Sequence, residues 1–502
     1  MEQILDKLRE RLAEVEDLRG ASSVLAWDQE TYMPRGAVET RAVQLATLER
    51  VIHERATSSE LGDLLAASEE STADADPDSI AARLVRVARR DYDRATKIPA
   101  ALVSAFAEAT ARAMPVWSEA KKRNDFASFA PHLETIVRLC VEKAEAVGYE
   151  EDPYDALIDE FEPEIKTAHV EKVFSALRAD LVPIVKAIAE AGKTDTSFLH
   201  RRYDERLQWD FGVGVVQDFG YDFSRGRQDR SAHPFTIHFS ADDVRITTRV
   251  FEDFLPAALF GSLHEAGHGL YEQGIAPALG RTPLAKGASL GIHESQSRLW
   301  ENQVGRSKAF WTAYYPDLQK TFPDQLKDVK LDAFYRAVNS VAPSLIRVEA
   351  DEVTYNLHIM LRFELERALI SGDLKVADLP SVWKEKMGDY LGIIPENDTT
   401  GVLQDVHWSM GAIGYFPTYT LGTLMSAQIF GAVRAALPDV DELIASRSFG
   451  PILEWLTERI YRHGRTFTAP EILDRATGQA LDSASWLTYI KGKFGRIYGS
   501  LS

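Results

Sequence analysis

The sequence predicts a mainly α fold with a small antiparallel β-sheet or hairpin beside one chemically marked helix. Three observations carry this. Apolar residues recur at helical spacing through the first two hundred positions, one stretch from Pro234 to Val250 alternates at the period of a strand, and helical runs resume after it. Ile4, Leu5, Leu8, Leu12, Val15 and Leu18 set the helical period at once, and similar runs near 36–56, 79–96, 99–121, 126–148 and 168–191 predict further helices. The breaks are short: Ser71 to Asp78 is an acidic turn, and Asn124-Asp125 and Lys193-Thr194-Asp195 resemble caps or loops. Within Pro234 to Val250, Phe235, Ile237 and Phe239 alternate, three residues turn the chain, and Val244, Ile246 and Thr248 alternate again. Beyond it the pattern predicts helices from Phe254 to Gln273, from Ser289 to Trp300, from about Ser344 to Ser371, and near 376–391, 420–436 and 439–460. No linker, internal repeat or low-complexity tract interrupts them.

Composition excludes several classes. The 57 Lys and Arg against 76 Asp and Glu give a formal net charge of −19, which opposes attraction to nucleic acid or anionic lipid, so neither partner is expected. Cys140, the single cysteine, has no internal partner and suits a reducing cytosol, where it acts as a small buried hydrophobe. Met1 to Leu8 alternates charge with apolar residues and lacks the apolar run of a secretion signal, so a cytoplasmic location is expected. Val406 to Val433 contains no Asp, Glu, Lys or Arg, but His407, Pro417, four glycines and several hydroxyl residues suit a buried helix pair rather than a membrane span.

The marked helix is Phe254 to Gln273, where Leu259, Phe260, Leu263, Leu270 and Tyr271 fall at helical offsets around His264-Glu265-Ala266-Gly267-His268. A helix turns about 100° per residue, so positions four apart share a face. Two imidazoles therefore offer ring nitrogens to one point, and Glu265 reaches a water held there, the pattern of a zinc hydrolase. Gly261 and Gly267 thin the surface and let another element approach closely. The competing reading is a pair of core histidines satisfied by neighbours, and the intervening glutamate argues against it.

Two histidines leave a tetrahedral ion one protein ligand short, a place often filled by a carboxylate from a later helix. Glu294 meets that requirement, 26 residues beyond His268 in the run Ser289 to Trp300 and after a loop containing Gly and Pro. Glu272 and Glu301 are its rivals on spacing. Glu272 shares the histidines' helix, where one more turn does not bend round to the ion, and Glu301 is otherwise a surface charge. Zinc so held lowers the pKa of its water to near neutrality and polarises the scissile carbonyl. Glu265 takes the water proton and passes it to the leaving amine, so no covalent intermediate is needed.

Six stretches, in order, resemble the motifs of the Taq-type thermostable metallocarboxypeptidases: His233-Pro234-Phe235, Asp243-Val244-Arg245-Ile246-Thr247, His264-Glu265-Ala266-Gly267-His268, His293-Glu294-Ser295-Gln296, Ile346-Arg347-Val348-Glu349-Ala350-Asp351, and Gly401-Val402-Leu403-Gln404-Asp405-Val406-His407-Trp408. The likeness extends to both ends, with Trp27 to Pro34 near the start and Phe467 to Leu473 near the finish. The resemblance implies a large helical body with a deep substrate groove and zinc on its floor, broad carboxypeptidase action on peptides with a free C-terminus, cobalt as a productive substitute, and a homodimer. It also implies His264, His268 and Glu294 as metal ligands and Glu265 as general base. Residues 1–502 are then expected to form one metallopeptidase domain, with 1–200 a helical part forming one groove wall and 201–502 the zinc-binding catalytic part.

A carboxypeptidase must grip the terminal carboxylate to place the last peptide bond. The planar fork of arginine pairs both of its oxygens. Arg245, in the hairpin's second strand, and Arg347, on a predicted helix, each lie in a family motif, and the resemblance supports both as contacts to the substrate terminus. Structural alternatives exist: Arg347 lies one turn from Asp351, and Arg245 can pair across the hairpin with an acidic neighbour. By analogy with related helical zinc peptidases, His407, Tyr415 and Tyr419 are candidate donors to the oxyanion, with simple core packing the alternative for either tyrosine. His233, grouped with the substrate contacts, and His293 are expected to order the site, Asp405 to orient a nearby His or Arg, and His238 to be an ordinary strand residue. An extended peptide adding to the hairpin edge from Phe235 to Ser240 would favour broad specificity. Two other readings stand beside this one: a zinc oligopeptidase or dipeptidyl carboxypeptidase, and a helical interaction protein that binds no metal.

Overall fold

In the computed structural model, which describes residues 2–499, the apolar periodicity becomes helix almost everywhere it occurs. Helices Glu2–Thr31, Val38–Ala56, Ser59–Thr72, Ile80–Lys97, Ala100–Arg123, Phe126–Val147, Pro153–Ile158 and Thr167–Glu190 fill the first part of the chain. Local chemistry sets their ends. Asn124 takes a left-handed conformation with φ 54° to close one helix, and the Asp125 carboxylate accepts the Ser128 N–H to open the next. Ser59–Thr72 was not expected from periodicity; the Ser58 hydroxyl caps it and Leu61 and Leu65 bury one face.

The chain groups into two compact units, each assembled from three separated segments: Met1–Thr96, Asp195–Val338 and Gln428–Ala480, and then Lys97–Thr194, Asn339–Ala427 and Leu481–Ser502. In the first, Leu5, Leu8 and Leu12 bury against Leu61, Leu65, Leu84 and Val85, together with Ile275, Leu279 and Leu284. Each such aliphatic side chain contributes about 1.5–3 kcal/mol relative to exposure. In the second, Phe363 packs edge-on against Tyr154 and Phe174, joining three helices, and Cys140 is buried as a small apolar group.

The expected hairpin is part of a larger, mixed sheet. β1 (Gly226–Arg230) runs parallel to β3 (Asp243–Thr248), and β2 (Thr236–Ser240) runs antiparallel to β3, in the order β1-β3-β2. The sheet is thus not purely antiparallel. β1 escaped periodicity because Gly226-Arg227-Gln228-Asp229-Arg230 has no apolar alternation. Its buried polar side chains meet polar partners instead, the Gln228 amide N–H donating to the Ser262 hydroxyl at 3.1 Å while its Oε1 stays unpartnered, and Asp229 bridging to Arg227 at 2.6 Å. Central β3 buries Val244 and Ile246 completely.

Two helices follow the sheet and build the site. The histidine helix, Leu255–Gln273, has proline at its start, where the missing N–H costs nothing. The glutamate helix, Leu290–Arg298, is capped by the Ser289 hydroxyl accepting the Ile292 N–H, and it runs directly into a π-helical turn, Leu299–Val304. The two meet at Gly267. A Cβ there would lie 2.6 Å from both the Gln296 carbonyl oxygen and the Ser297 Cα. At Gly261 the nearest atom would be 3.4 Å away, an ordinary contact.

Three predicted helices take other forms. The run from Ser344 begins its helix only at Tyr355, because the Asp351 carboxylate accepts the N–H groups of Val353 and Thr354 and the Thr354 hydroxyl. Arg347 therefore sits in a single 3-10 turn, Arg347–Glu349, rather than on a long helix. The run 439–460 divides into Val440–Ala445 and Gly450–Arg459, with Arg447 at φ 60° between them. The uncharged stretch from Val406 forms a 3-10 turn, His407–Met410, an irregular loop and one helix, Pro417–Ala436, rather than a helix pair. Among the described residues no helix is long and apolar enough to cross a membrane.

The Gly267 contact is testable. Gly267→Ala should push the two helices apart, destabilise the protein by about 1–3 kcal/mol and lower the metal retained after dialysis. Thermal unfolding and metal analysis check it, and an unchanged melting temperature with full metal retention would show that the contact is not tight.

Candidate metal centre

Helical register places the His264 and His268 rings 5.0 Å apart between centroids and nearly perpendicular, at 85°. The Glu294 carboxylate arrives from the glutamate helix with its Oε2 3.6 Å from His264 Nε2 and 3.5 Å from His268 Nε2. The ligand atoms of the three residues all lie within 4.8 Å of one another. A tetrahedral zinc with bonds near 2.0–2.2 Å separates its ligand atoms by roughly 3.3 Å. Two imidazole nitrogens and a carboxylate oxygen at this spacing fit a small divalent cation.

The field around them favours positive charge. Burial alone would raise the pKa of Glu294, but Arg298, whose Nε donates to Oε1 at 2.7 Å, and both imidazoles hold it far below the usual carboxylate range. The Ser297 hydroxyl donates to Oε2 at 3.1 Å. Burial, with the neighbouring His293, drives His268 down to about 3, leaving the neutral ring that ligates metals. Burial also opposes a proton on His264, yet Glu294 and Glu301 outweigh it and raise its pKa. The field that retains a proton there is the field that favours a cation. Glu265 is buried beside them, and Thr236 on β2 donates its hydroxyl to Glu265 Oε2 at 2.7 Å. Burial raises the pKa of Glu265, which suits a base that must later release its proton.

Behind each imidazole stands a second partner that fixes its orientation. His264 Nδ1 lies 3.0 Å from Glu301 Oε2, and Glu301 is held by Arg306 at 3.1 Å and Arg298 at 3.5 Å. His268 Nδ1 lies 2.5 Å from His293 Nδ1, and His293 Nε2 lies 2.7 Å from Glu272 Oε1. One tautomer set satisfies this chain: His268 Nδ1–H donates to His293, whose Nε2–H donates to Glu272. His238 Nδ1 is 3.3 Å from the other Glu272 oxygen, so this strand residue belongs to the network. Of the two rivals to Glu294 on spacing, Glu301 thus faces His264 Nδ1 and Glu272 meets His293 Nε2 behind His268, and Glu301 is buried rather than a surface charge. The His233 ring is exposed and takes no part in the hydrogen bonds around the ligands, while its carbonyl accepts the Ser231 hydroxyl at 2.6 Å. Arg245 pairs with Asp243 on its own strand through two 2.9 Å contacts and stacks on Trp27 at 4.2 Å and Phe239 at 4.8 Å. The acid it meets lies two residues back on the same face, not across the hairpin.

The remaining candidates form a cluster of their own in the second unit. Asp405 accepts Arg347 Nε at 2.9 Å on one oxygen and Arg362 Nε at 2.7 Å on the other. Burial works against its charge, but the two guanidinium groups keep its pKa far below normal. Arg347 also donates to the Tyr355 hydroxyl at 2.8 Å, and its backbone N–H goes to Gln404 at 2.8 Å, so Asp405 rather than Asp351 is its partner. His407 Nε2 lies 3.4 Å from the Tyr419 hydroxyl, and the Tyr415 ring is 5.3 Å from the His407 ring. Burial and Arg347 bring His407 down to about 4, so it is neutral at physiological pH, and its buried Nδ1 has no hydrogen-bond partner.

Sequence reasoning missed several of these groups. Arg298 and Ser297 lie four and three residues from Glu294 on one helix, a spacing that marks them as its neighbours. Arg362 and Glu366 gave no signal, since charges within a helical run usually face solvent. Glu366 instead is fully buried, and burial lifts it to about 7 against the three neutral donors it accepts.

A histidine pair on one helix, a carboxylate from a second and a buried glutamate beside them, in a mainly helical chain, define the centre of a metallopeptidase class. A model of the carboxypeptidase Taq (M32) metallopeptidase family matches residues 7–494. The chain is 44% identical over 492 residues to thermostable carboxypeptidase 1 of Thermus thermophilus, covering 96% of each, and 40% identical over 479 residues to carboxypeptidase 1 of Bacillus subtilis, covering 95% of each. The crystal structure of an M32 carboxypeptidase from Deinococcus radiodurans R1 superposes with a TM-score of 0.96 at 46% identity, covering 99% of this chain and 100% of that one. Metallocarboxypeptidase 1 of Trypanosoma cruzi does so with a TM-score of 0.94 at 33% identity, covering 98% and 100%. The chain belongs to the carboxypeptidase Taq (M32) family and is a metallocarboxypeptidase, a peptide hydrolase acting at C-termini. Neither the oligopeptidase reading nor the interaction-protein reading is favoured.

The orienting role of Glu301 predicts that Glu301→Gln weakens metal affinity about 10–100-fold while leaving the fold intact. Competition against a chelator measures it, and parent-like affinity would show that His264 needs no such support.

Proposed function

We propose that the enzyme releases single amino acids from the C-termini of peptides, with broad side-chain tolerance, using zinc held by His264, His268 and Glu294. One observation carries this: Glu294 Oε2 faces both Nε2 atoms at 3.5–3.6 Å, with Glu265 buried beside them. When bound, the metal supplies Lewis acidity, polarising the scissile carbonyl and activating a water, and cobalt can replace zinc in this. Glu265 accepts the water proton at its carboxylate and returns it to the departing amine. The Thr236 hydroxyl holds that carboxylate in place.

Arg347 is assigned to the terminal carboxylate. Asp405 and Tyr355 fix its guanidinium while occupying only part of its five-donor fork, leaving donors for a planar partner. Arg245 and His233 are further substrate contacts, and the neutral His407, with Tyr415 and Tyr419, supplies donors to the developing oxyanion. Tolerance of side chains follows from backbone recognition. β2 is an edge strand of the sheet, so an extended peptide can pair with its backbone. A cytoplasmic homodimer, with no nucleic-acid or membrane partner, completes the proposal: the acidic balance opposes those partners, the lone cysteine suits a reducing compartment, and the dimer rests on the family resemblance alone.

Glu265→Gln should keep its full metal content and lose most activity on a free-terminus peptide, with kcat falling by roughly two orders of magnitude or more. Parent-like turnover would remove Glu265 from the role of base. Converting the substrate's C-terminus to an amide should abolish most turnover by the parent enzyme, and undiminished cleavage of the amide would place the recognition elsewhere than at the terminal carboxylate.

A further inference from the structure

Glu366 lies in the middle of the Tyr355–Ser371 helix with no exposed surface. A buried carboxylate costs several kcal/mol unless its oxygens are satisfied, and an apolar residue of similar volume would avoid that cost. Its hydrogen-bond partners are neutral donors. The Tyr154 hydroxyl donates to Oε2 at 2.6 Å, the Gly414 backbone N–H to the same oxygen at 2.9 Å, and the Trp408 indole N–H to Oε1 at 2.8 Å.

Two of these donors sit next in sequence to candidate oxyanion donors: Trp408 follows His407, and Gly414 precedes Tyr415. Between the His407–Met410 turn and the Pro417–Ala436 helix the backbone belongs to no regular element. Gly414 has φ 95°, and a Cβ there would lie 2.8 Å from the Leu157 carbonyl carbon and 2.9 Å from the Ile158 nitrogen. The loop is therefore pressed against the Pro153–Ile158 helix, which also carries Tyr154. One side chain thus ties that helix, the His407 turn and the Tyr415 loop to the Tyr355–Ser371 helix.

We propose that Glu366 is a positioning residue: through Trp408 and Gly414 it holds His407, Tyr415 and Tyr419 in the orientation catalysis requires. This rests on the reading of those three residues as oxyanion donors. Donors that act in the transition state alone affect kcat rather than KM, and a displacement of about 1 Å suffices to cost up to 10²-fold.

Glu366→Gln preserves volume but replaces one acceptor oxygen with an NH2 group, which must oppose at least one of the three donors in either amide orientation. We expect kcat to fall about tenfold or more, with KM within about twofold and metal content unchanged. Trp408→Phe, which breaks only the indole tether, should lower kcat in the same direction by less. In a His407→Gln, Tyr415→Phe, Tyr419→Phe background, adding Glu366→Gln should change kcat by less than about twofold, because the groups it positions are gone. A parent-like kcat in Glu366→Gln overturns the proposal, as does an equal loss in both backgrounds. If Glu366→Gln does not fold, parent-like kcat and KM in Trp408→Phe overturn it. If the triple variant itself turns over like the parent, the oxyanion reading has failed instead, and the positioning role falls with it.

Discussion

Two helices touch where Gly267 has no side chain, and the distances of the metal centre follow from that contact. The histidine helix fixes His264 and His268 on one face by its own geometry. Whether a third ligand reaches them depends on how closely the glutamate helix lies, and the backbone at Gln296 and Ser297 rests against Gly267 with no room for a Cβ. Glu294, two residues before Gln296, is thereby carried to 3.5–3.6 Å from both imidazoles.

The electrostatics follow from the same packing. Glu265, Glu272, Glu294 and Glu301 are all buried in this region, and the arginines that reach them are Arg298 and Arg306. Four carboxyl groups against two guanidinium groups leave an excess of acidic groups, a setting that favours a divalent cation. The arrangement is asymmetric. His264 backs directly onto the anionic Glu301, whereas His268 reaches Glu272 only through His293. In the second unit the pattern inverts: two arginines share Asp405, and His407 beside them stays neutral. Two guanidinium groups against one carboxylate leave net positive charge there.

Much of this was legible in the sequence because it is local. The i, i+4 histidines need only a helix, and the β2–β3 hairpin needs only alternation, so both appear where expected. Long-range or polar features were not legible. β1 is a strand because β3 offers it a partner, and its polar residues give no periodic signal. Arg347 left its predicted helix because the Asp351 carboxylate holds a turn ahead of the next one and Gln404, far along the chain, takes the Arg347 N–H. Glu272 and Glu301 looked like spare carboxylates because their partners lie on the far side of each histidine ring, a distinction that spacing does not carry. Glu366 was invisible for a similar reason, since its three donors come from segments distant in sequence.

The most direct test is X-ray absorption at the zinc edge on protein loaded with one equivalent of zinc, compared with Glu294→Ala. The predicted first shell holds two imidazole nitrogens and oxygen ligands at about 2.0–2.2 Å, with imidazole scattering retained and the carboxylate oxygen lost or replaced by water in the variant. A shell with fewer than two imidazoles in the parent, or one that Glu294→Ala leaves unchanged along with its affinity, would contradict a centre built from His264, His268 and Glu294.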